Sequence, residues 1–196
     1  MTETMDLPAS DMADVDWIDR TSLRILAASE NLGWHGATVL LERQNAAPEY
    51  VPIPHVNFDQ LSLLLAGSAR IQTRHSSGAV ADEYASAPQM SLFPKWTELA
   101  ARWDAPWTFA VIQIHPQFLS EIAADFRGDP ARIELHPVFN FFDHRLCAFA
   151  SELANELQRA NPLGTLYADS LVQSLVHHLL VHYSTSKSMH RWSIGS

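Results

Sequence analysis

Cysteine, glycine and basic residues are all scarce, and each shortage removes a class of function. Cys147 is the only cysteine, so the chain forms no internal disulfide and no cysteine-rich metal cluster. The seven glycines are scattered; none builds a phosphate-cradling loop or the Gly-x-Ser-x-Gly elbow that presents a nucleophilic serine. Lys and Arg number 13 against 22 Asp and Glu, a formal net charge of -9 with His neutral. Proteins that bind duplexes gather cations on one face to displace counterions. No stretch does so here, and direct nucleic-acid binding by this chain is not expected. Long apolar runs are missing as well: nothing approaches the roughly 20 residues that span a bilayer, and the acidic start is unlike a secretory signal. A soluble, cytoplasmic protein is expected. What is plentiful is the material of a packed domain, with 47% hydrophobic and 18% charged residues, six Trp and nine Phe among them.

Along the chain, residues 1–20 read as a flexible acidic arm anchored by Trp17 and Ile18. Thr21 to Asn31 fits a short helix or a strand equally. From Gly33 the pattern is β. Ala37 to Glu42 is a short β-rich run, broken by Ala46-Ala47-Pro48, and Val51 to Pro54 is extended because each proline restricts its predecessor. Leu61 to Ala66 is a continuous apolar run of strand length, as expected of a strand covered on both faces. After a turn at Gly67-Ser68, Arg70, Gln72 and Arg74 alternate with Ile71 and Thr73, one wet face and one dry. Met90 to Phe93 is a strand stopped by Pro94. The last strand alternates Trp107, Phe109, Val111 and Gln113 with Thr108, Ala110, Ile112 and Ile114. Short strands cut by Gly and Pro predict an antiparallel barrel or sandwich. Beyond His115-Pro116 the period becomes helical: Gln117 to Phe126, a second helix capped by Asp143, and a third capped by Thr165. The last two are joined by Asn161-Pro162-Leu163-Gly164 into an antiparallel hairpin. The expected organisation is an arm at 1–20, a barrel at 21–115, a helical dimerisation segment at 116–184 and a polar tail at 185–196.

The stretch Pro54-His55-Val56-Asn57-Phe58-Asp59-Gln60 leads a polar rim into the buried run. A barrel metal site needs several imidazoles and a carboxylate on neighbouring strands. His55, Asn57 and Gln60 have that layout with a single strong ligand, and Lys95 to Leu99 adds only Glu98, so no metal is expected. His178 and His182, four apart on one helix, lack a third ligand nearby in sequence. Rings such as Trp34 and Trp96 together with a few polar groups suit a small-molecule pocket. The candidate ligand-binding set is Trp34, His55, Asn57, Gln60, Arg70 and Trp96. Neither a catalytic set nor a cofactor is expected. The apolar stripe of the last helix is broad, and Leu171, Leu175, His178, Leu179 and His182 are candidates for burial against a second copy.

Gly33-Trp34-His35-Gly36, the block from Pro54-His55 to Gly67, Leu92-Phe93-Pro94, and Pro162-Leu163-Gly164-Thr165-Leu166-Tyr167-Ala168-Asp169-Ser170-Leu171 together resemble the N-terminal half of AraC-type bacterial transcription regulators. The resemblance implies a cupin-like barrel that senses a small effector, helices that form a homodimer, and no enzymatic activity. In that family a basic region with two helix-turn-helix motifs then reads DNA; the sequence stops about where it would begin. Two alternatives are a small metal-dependent cupin enzyme and a stand-alone dimerising antagonist of a full-length regulator.

Overall fold

The computed structural model describes residues 22–53, 56–124 and 133–185. Its strands are β1 (Arg24–Ala28), β2 (Ala37–Gln44), β3 (Ala47–Pro52), β4 (Asp59–Ala66), β5 (Ser68–His75), β6 (Val80–Ser86), β7 (Met90–Phe93), β8 (Leu99–Trp103), β9 (Trp107–Ile114) and β10 (Val138–Phe141). Its helices are α1 (Pro116–Ala124), between β9 and β10, then α2 (His144–Gln158) and α3 (Thr165–Tyr183). One sheet has six strands in the order β1-β2-β9-β4-β7-β10, the other four in the order β3-β8-β5-β6. All described pairings are antiparallel. The mainly β architecture with C-terminal helices is the one expected. No helix among the described residues is long and apolar enough to cross a membrane.

The six-stranded sheet is covered on both sides, which is why β4 reads as an unbroken apolar run. Leu61 and Leu63 face a core shared with the helices, together with Val39 and Leu41 from β2 and Ala110, Ile112 and Ile114 from β9. The alternate residues of the same strands face the smaller sheet. Leu64 and Trp107 join Ala47, Ala69, Leu99, Ala101 and Trp103 in a second core there. The β4–β5 connection is a single glycine, Gly67, at φ +100°, where a Cβ would come within 2.8 Å of the Pro106 carbonyl oxygen. A side chain there meets backbone that cannot move aside.

Several elements differ from the sequence reading. Residues 24–28 form a strand, resolving the ambiguity between Thr21 and Asn31. The break expected at Ala46-Ala47-Pro48 is instead the start of β3, which accommodates Pro48 and Pro52 because it lies at a sheet edge. Strands β6, β8 and β10 were not anticipated; β6 and β8 are interrupted by alanines, and β10 is four residues long. Gly164, at φ 84°, holds the N-cap position of α3 that was expected for Thr165, with no side-chain cap bond.

Asp143 caps α2 as expected and also ties the helix hairpin together. Its Oδ1 accepts from the backbone N–H groups of Arg145 (2.9 Å) and Leu146 (3.1 Å). Its Oδ2 accepts from Tyr183 OH at 2.9 Å and lies 2.9 Å from His178 Nε2. Partial burial acts to raise this carboxyl's pKa, but the bonds from His178, Leu146 and Tyr183 outweigh it and hold it down at about 2. Because the folded value lies below the unfolded one, the contribution is present above about pH 4 and fades as pH falls towards 2. Asp143→Ala is expected to lose about 2 kcal/mol at pH 7, the cap and the α3 contacts together. Asp143→Asn keeps an acceptor for the cap; it is expected to lose less at pH 7 and to converge on the wild type in acid. Urea unfolding at pH 7 and pH 3 measures both.

Candidate ligand cavity

Between the two sheets lies a cavity of about 560 Å³, within the range that takes small organic ligands. Strand alternation builds it. From the six-stranded sheet, β2 contributes Leu40, Glu42 and Gln44, β4 contributes Gln60, Ser62 and Leu64, and β9 contributes Trp107, Phe109, Val111 and Gln113. From the other sheet, β5 presents Ile71 and Thr73, the face expected to be dry, and also His75. The same sheet adds the small residues Ala81 and Ala85 of β6 and Ala101 of β8, facing the sheet that carries Trp107 and Phe109. Small side chains against large ones leave the interior open rather than filled.

Aromatic rings from both sheets meet at the cavity: Trp103 comes from β8 of the smaller sheet, Trp107 and Phe109 from β9 of the larger one. Trp103 and Trp107 stack with centroids 5.2 Å apart, and Phe109 meets Trp107 edge-on at 5.0 Å. Trp103 Nε1 donates to the Asn45 carbonyl at 2.7 Å, which fixes that ring. A polar relay runs along the six-stranded sheet. Trp107 Nε1 donates to Gln44 Oε1 at 3.2 Å, and Gln44 Nε2 donates to Glu42 Oε2 at 3.5 Å. Glu42 is 9% exposed. Burial, only partly offset by the Gln44 bond, pushes its carboxyl up to about 7. At the far end Asn140, at φ 53°, donates through Nδ2 to Glu83 Oε2 at 3.0 Å and to the Tyr84 carbonyl at 3.2 Å. These bonds tie β10 to β6 across the edges of the two sheets.

Of the candidate ligand set, Gln60 lines the cavity, where it donates to Ser62 Oγ at 3.2 Å. Trp34 is buried elsewhere, in the core shared with the helices, and its Nε1 has no partner among the described residues. Arg70 points to solvent, because the residues of β5 that enter the cavity are the odd-numbered ones. It forms a bidentate pair with Asp82, both bonds 2.7 Å. Trp96 is 60% exposed, and Asn57 is exposed; neither lines the cavity. His55 and Pro54 lie outside the described residues. Of the dimerisation set, Leu175 and Leu179 are fully enclosed within this chain, and Leu171 is half-buried against the same core. They are covered because α3 packs on α2 and α1. His178 bonds Asp143, and its ring lies 4.3 Å from that of His182. Among the described residues no three His, Cys, Asp or Glu side chains are grouped to hold a metal ion.

Glu42 and Gln44 were missed by the sequence reading. Their signal was one of spacing: a carboxylate and an amide two apart, in register with Leu40, at the end of the strand where Arg43 lies between them.

No protein-family model matches the chain, and no curated protein sequence matches it. Solved structures do. The AraC-like transcriptional activator CuxR superposes with a TM-score of 0.51 at 11% identity, over 87% of this chain and 66% of that one. Shorter matches include an ethanolamine utilization protein q from Salmonella typhimurium (TM-score 0.35, 17% identity, 47% of this chain and 67% of that one). Another is the oxalate decarboxylase of Lactobacillus farciminis (TM-score 0.36, 16% identity, 56% and 37%). At these identities the likeness is one of fold. The chain is a cupin-like antiparallel barrel followed by an antiparallel helix hairpin. The AraC-like activator shares that arrangement over most of this chain, which spans 66% of the activator's length.

Proposed function

We propose that this chain is the effector-sensing part of an AraC-type regulator: it binds a small molecule rather than transforming one, and passes the occupancy of its cavity to its helices. One observation carries the reading. Strands β2, β4 and β9 line the cavity with one face and press the other onto α2 and α3 through a single core. A ligand that displaces Leu40, Gln60 or Val111 therefore acts on strands whose next residues, Leu41, Leu61 and Ile112, support the helices. Such coupling needs two arrangements for which the ligand has different affinity, and the shift is bounded by that difference.

A homodimer through the C-terminal helices belongs to the same proposal. With Leu175 and Leu179 enclosed, its contact falls to outward-facing groups at the start of α3, where Leu163 is 61% and Leu166 is 79% exposed. Hydrogen–deuterium exchange with and without a cavity ligand tests the coupling. The expected result is slower exchange in β2, β4 and β9 together with altered exchange in α2 and α3. Protection confined to the strands would refute transmission. Sedimentation of the wild type and Leu166→Glu tests the contact: a dimer that the variant splits is expected, and a strict monomer would end the dimer reading.

A further inference from the structure

We infer that the molecule this cavity takes is an organic cation, a protonated amine or quaternary ammonium on an apolar body of ring size. The inference rests on the sensing reading above and names its ligand class.

The charges around the cavity are of one sign. Its described lining includes the carboxylates of Glu30, Glu42 and Glu83, and neither Lys nor Arg. Glu30 and Glu83 are exposed and stand at the rim, whereas Glu42 is nine-tenths buried in the middle of the wall. The arginines nearest to Glu42 in sequence turn away from it. Arg43 pairs in register with Arg24 on the outer face, while Glu42 pairs with Ile25 and Phe109, both of which line the cavity. Glu42 Oε2 accepts from the side-chain amide of Gln44 at 3.5 Å, the long end of the range, and Gln44 is itself held by Trp107. The other titratable groups facing the cavity are Glu30, Glu83 and His75, the last against Phe139 on the opposite wall. An interior carboxylate with so weak a partner is costly to keep, and a ligand cation supplies what the fold does not. Trp103, Trp107 and Phe109 are also among the lining residues, and an aromatic face that meets a cation attracts it through the ring quadrupole. Carboxylates at the rim raise the local concentration of a cationic ligand and repel anions.

Three probes of one body and different charge test this: 4-phenylbutylamine, 4-phenylbutanol and 4-phenylbutyrate, titrated calorimetrically at pH 8 into the wild type, Glu42→Gln and the cavity-filling Ala81→Trp. The expected order in the wild type is amine at least tenfold tighter than alcohol, with the acid weakest. In Glu42→Gln the amine is expected to lose that tenfold preference while the alcohol binds as before. Glu30→Gln, at the rim and outside the core, is expected to weaken the amine by less than threefold. Binding of the alcohol or the acid as tight as the amine, or an amine preference that survives Glu42→Gln, would overturn the charge assignment and leave the cavity reading standing. Failure of all three probes to bind, or equal binding in Ala81→Trp, would overturn both.

Discussion

Glu42→Gln is expected to gain about 3 to 4 kcal/mol of unfolding free energy at pH 8 and almost nothing at pH 4. The carboxyl is buried in the cavity wall, and burial raises its pKa from 4.5 to about 7. Between those values the folded chain keeps a proton that the unfolded chain gives up. Stability therefore declines as pH rises above about 4.5 and levels off above about 7. At about 1.4 kcal/mol per pH unit, that interval amounts to the expected gain. Glutamine fills the same volume and does not titrate, so its profile lacks the decline. Glu30, Glu83 and His75, the other titratable groups facing the cavity, are common to both proteins and cancel in the difference. Urea unfolding from pH 4 to pH 8 is the measurement. Parallel profiles for the two proteins would mean that Glu42 is ionised without cost, and the cavity would then be wetter than its apolar lining implies. Ligand binding is expected to reverse the sign: a bound amine favours the ionised form, so the wild type with 4-phenylbutylamine recovers at pH 8 what burial removes.

Leu179→Ala is expected to lose about 3 to 4 kcal/mol, and by the same amount at any protein concentration. Leu179 is fully buried in the core that joins α3 to α2 and the six-stranded sheet, with Leu153, Leu175 and Ile112 in the same cluster. Removing its branched end leaves a cavity between rigid elements, and the cost adds lost transfer energy to lost packing. The sequence reading assigned this residue to contact with a second copy. Were that its main role, the loss would grow with dilution, because an interface contributes through mass action. Unfolding curves at two protein concentrations tenfold or more apart separate the cases. A loss below about 1 kcal/mol would mean that α3 is loosely held and that the core described here is not shared.

The parts of the fold that were legible are those where one physical signal dominates. Leu61 to Ala66 announced a strand covered on both sides, and the alternations at Ile71-Thr73 and Trp107-Phe109-Val111-Gln113 each grouped residues that share a face of the cavity. Asp143 announced a cap. Strands β6 and β8 were not legible because their inward residues include Ala81, Ala85 and Ala101, chosen by the space opposite them rather than by strand propensity. The same alanines make the cavity, so the features that hid the strands also hid the site. Alternation sorts residues into two faces but does not say which face meets the helices when both are buried. Trp34 was assigned to the ligand as a large ring suited to a pocket, but it lies ahead of β2 and packs in the core shared with the helices. Arg70 and Trp96 were chosen for their chemistry; β5 turns the first to solvent, and the second lies exposed beyond Pro94. Glu42 was passed over because Glu42-Arg43-Gln44 reads as the polar end of a strand; the register turns Glu42 and Gln44 inward and Arg43 outward.

The central claim is that the space between the sheets holds a small molecule. Ligand-observed NMR of a mixed library of amines, alcohols and acids, recorded with the wild type and with Ala81→Trp, tests it most directly. Hits that bind the wild type, prefer positive charge and vanish in the filled variant are expected. Hits that bind both proteins equally, or a library from which nothing binds the wild type, would contradict it.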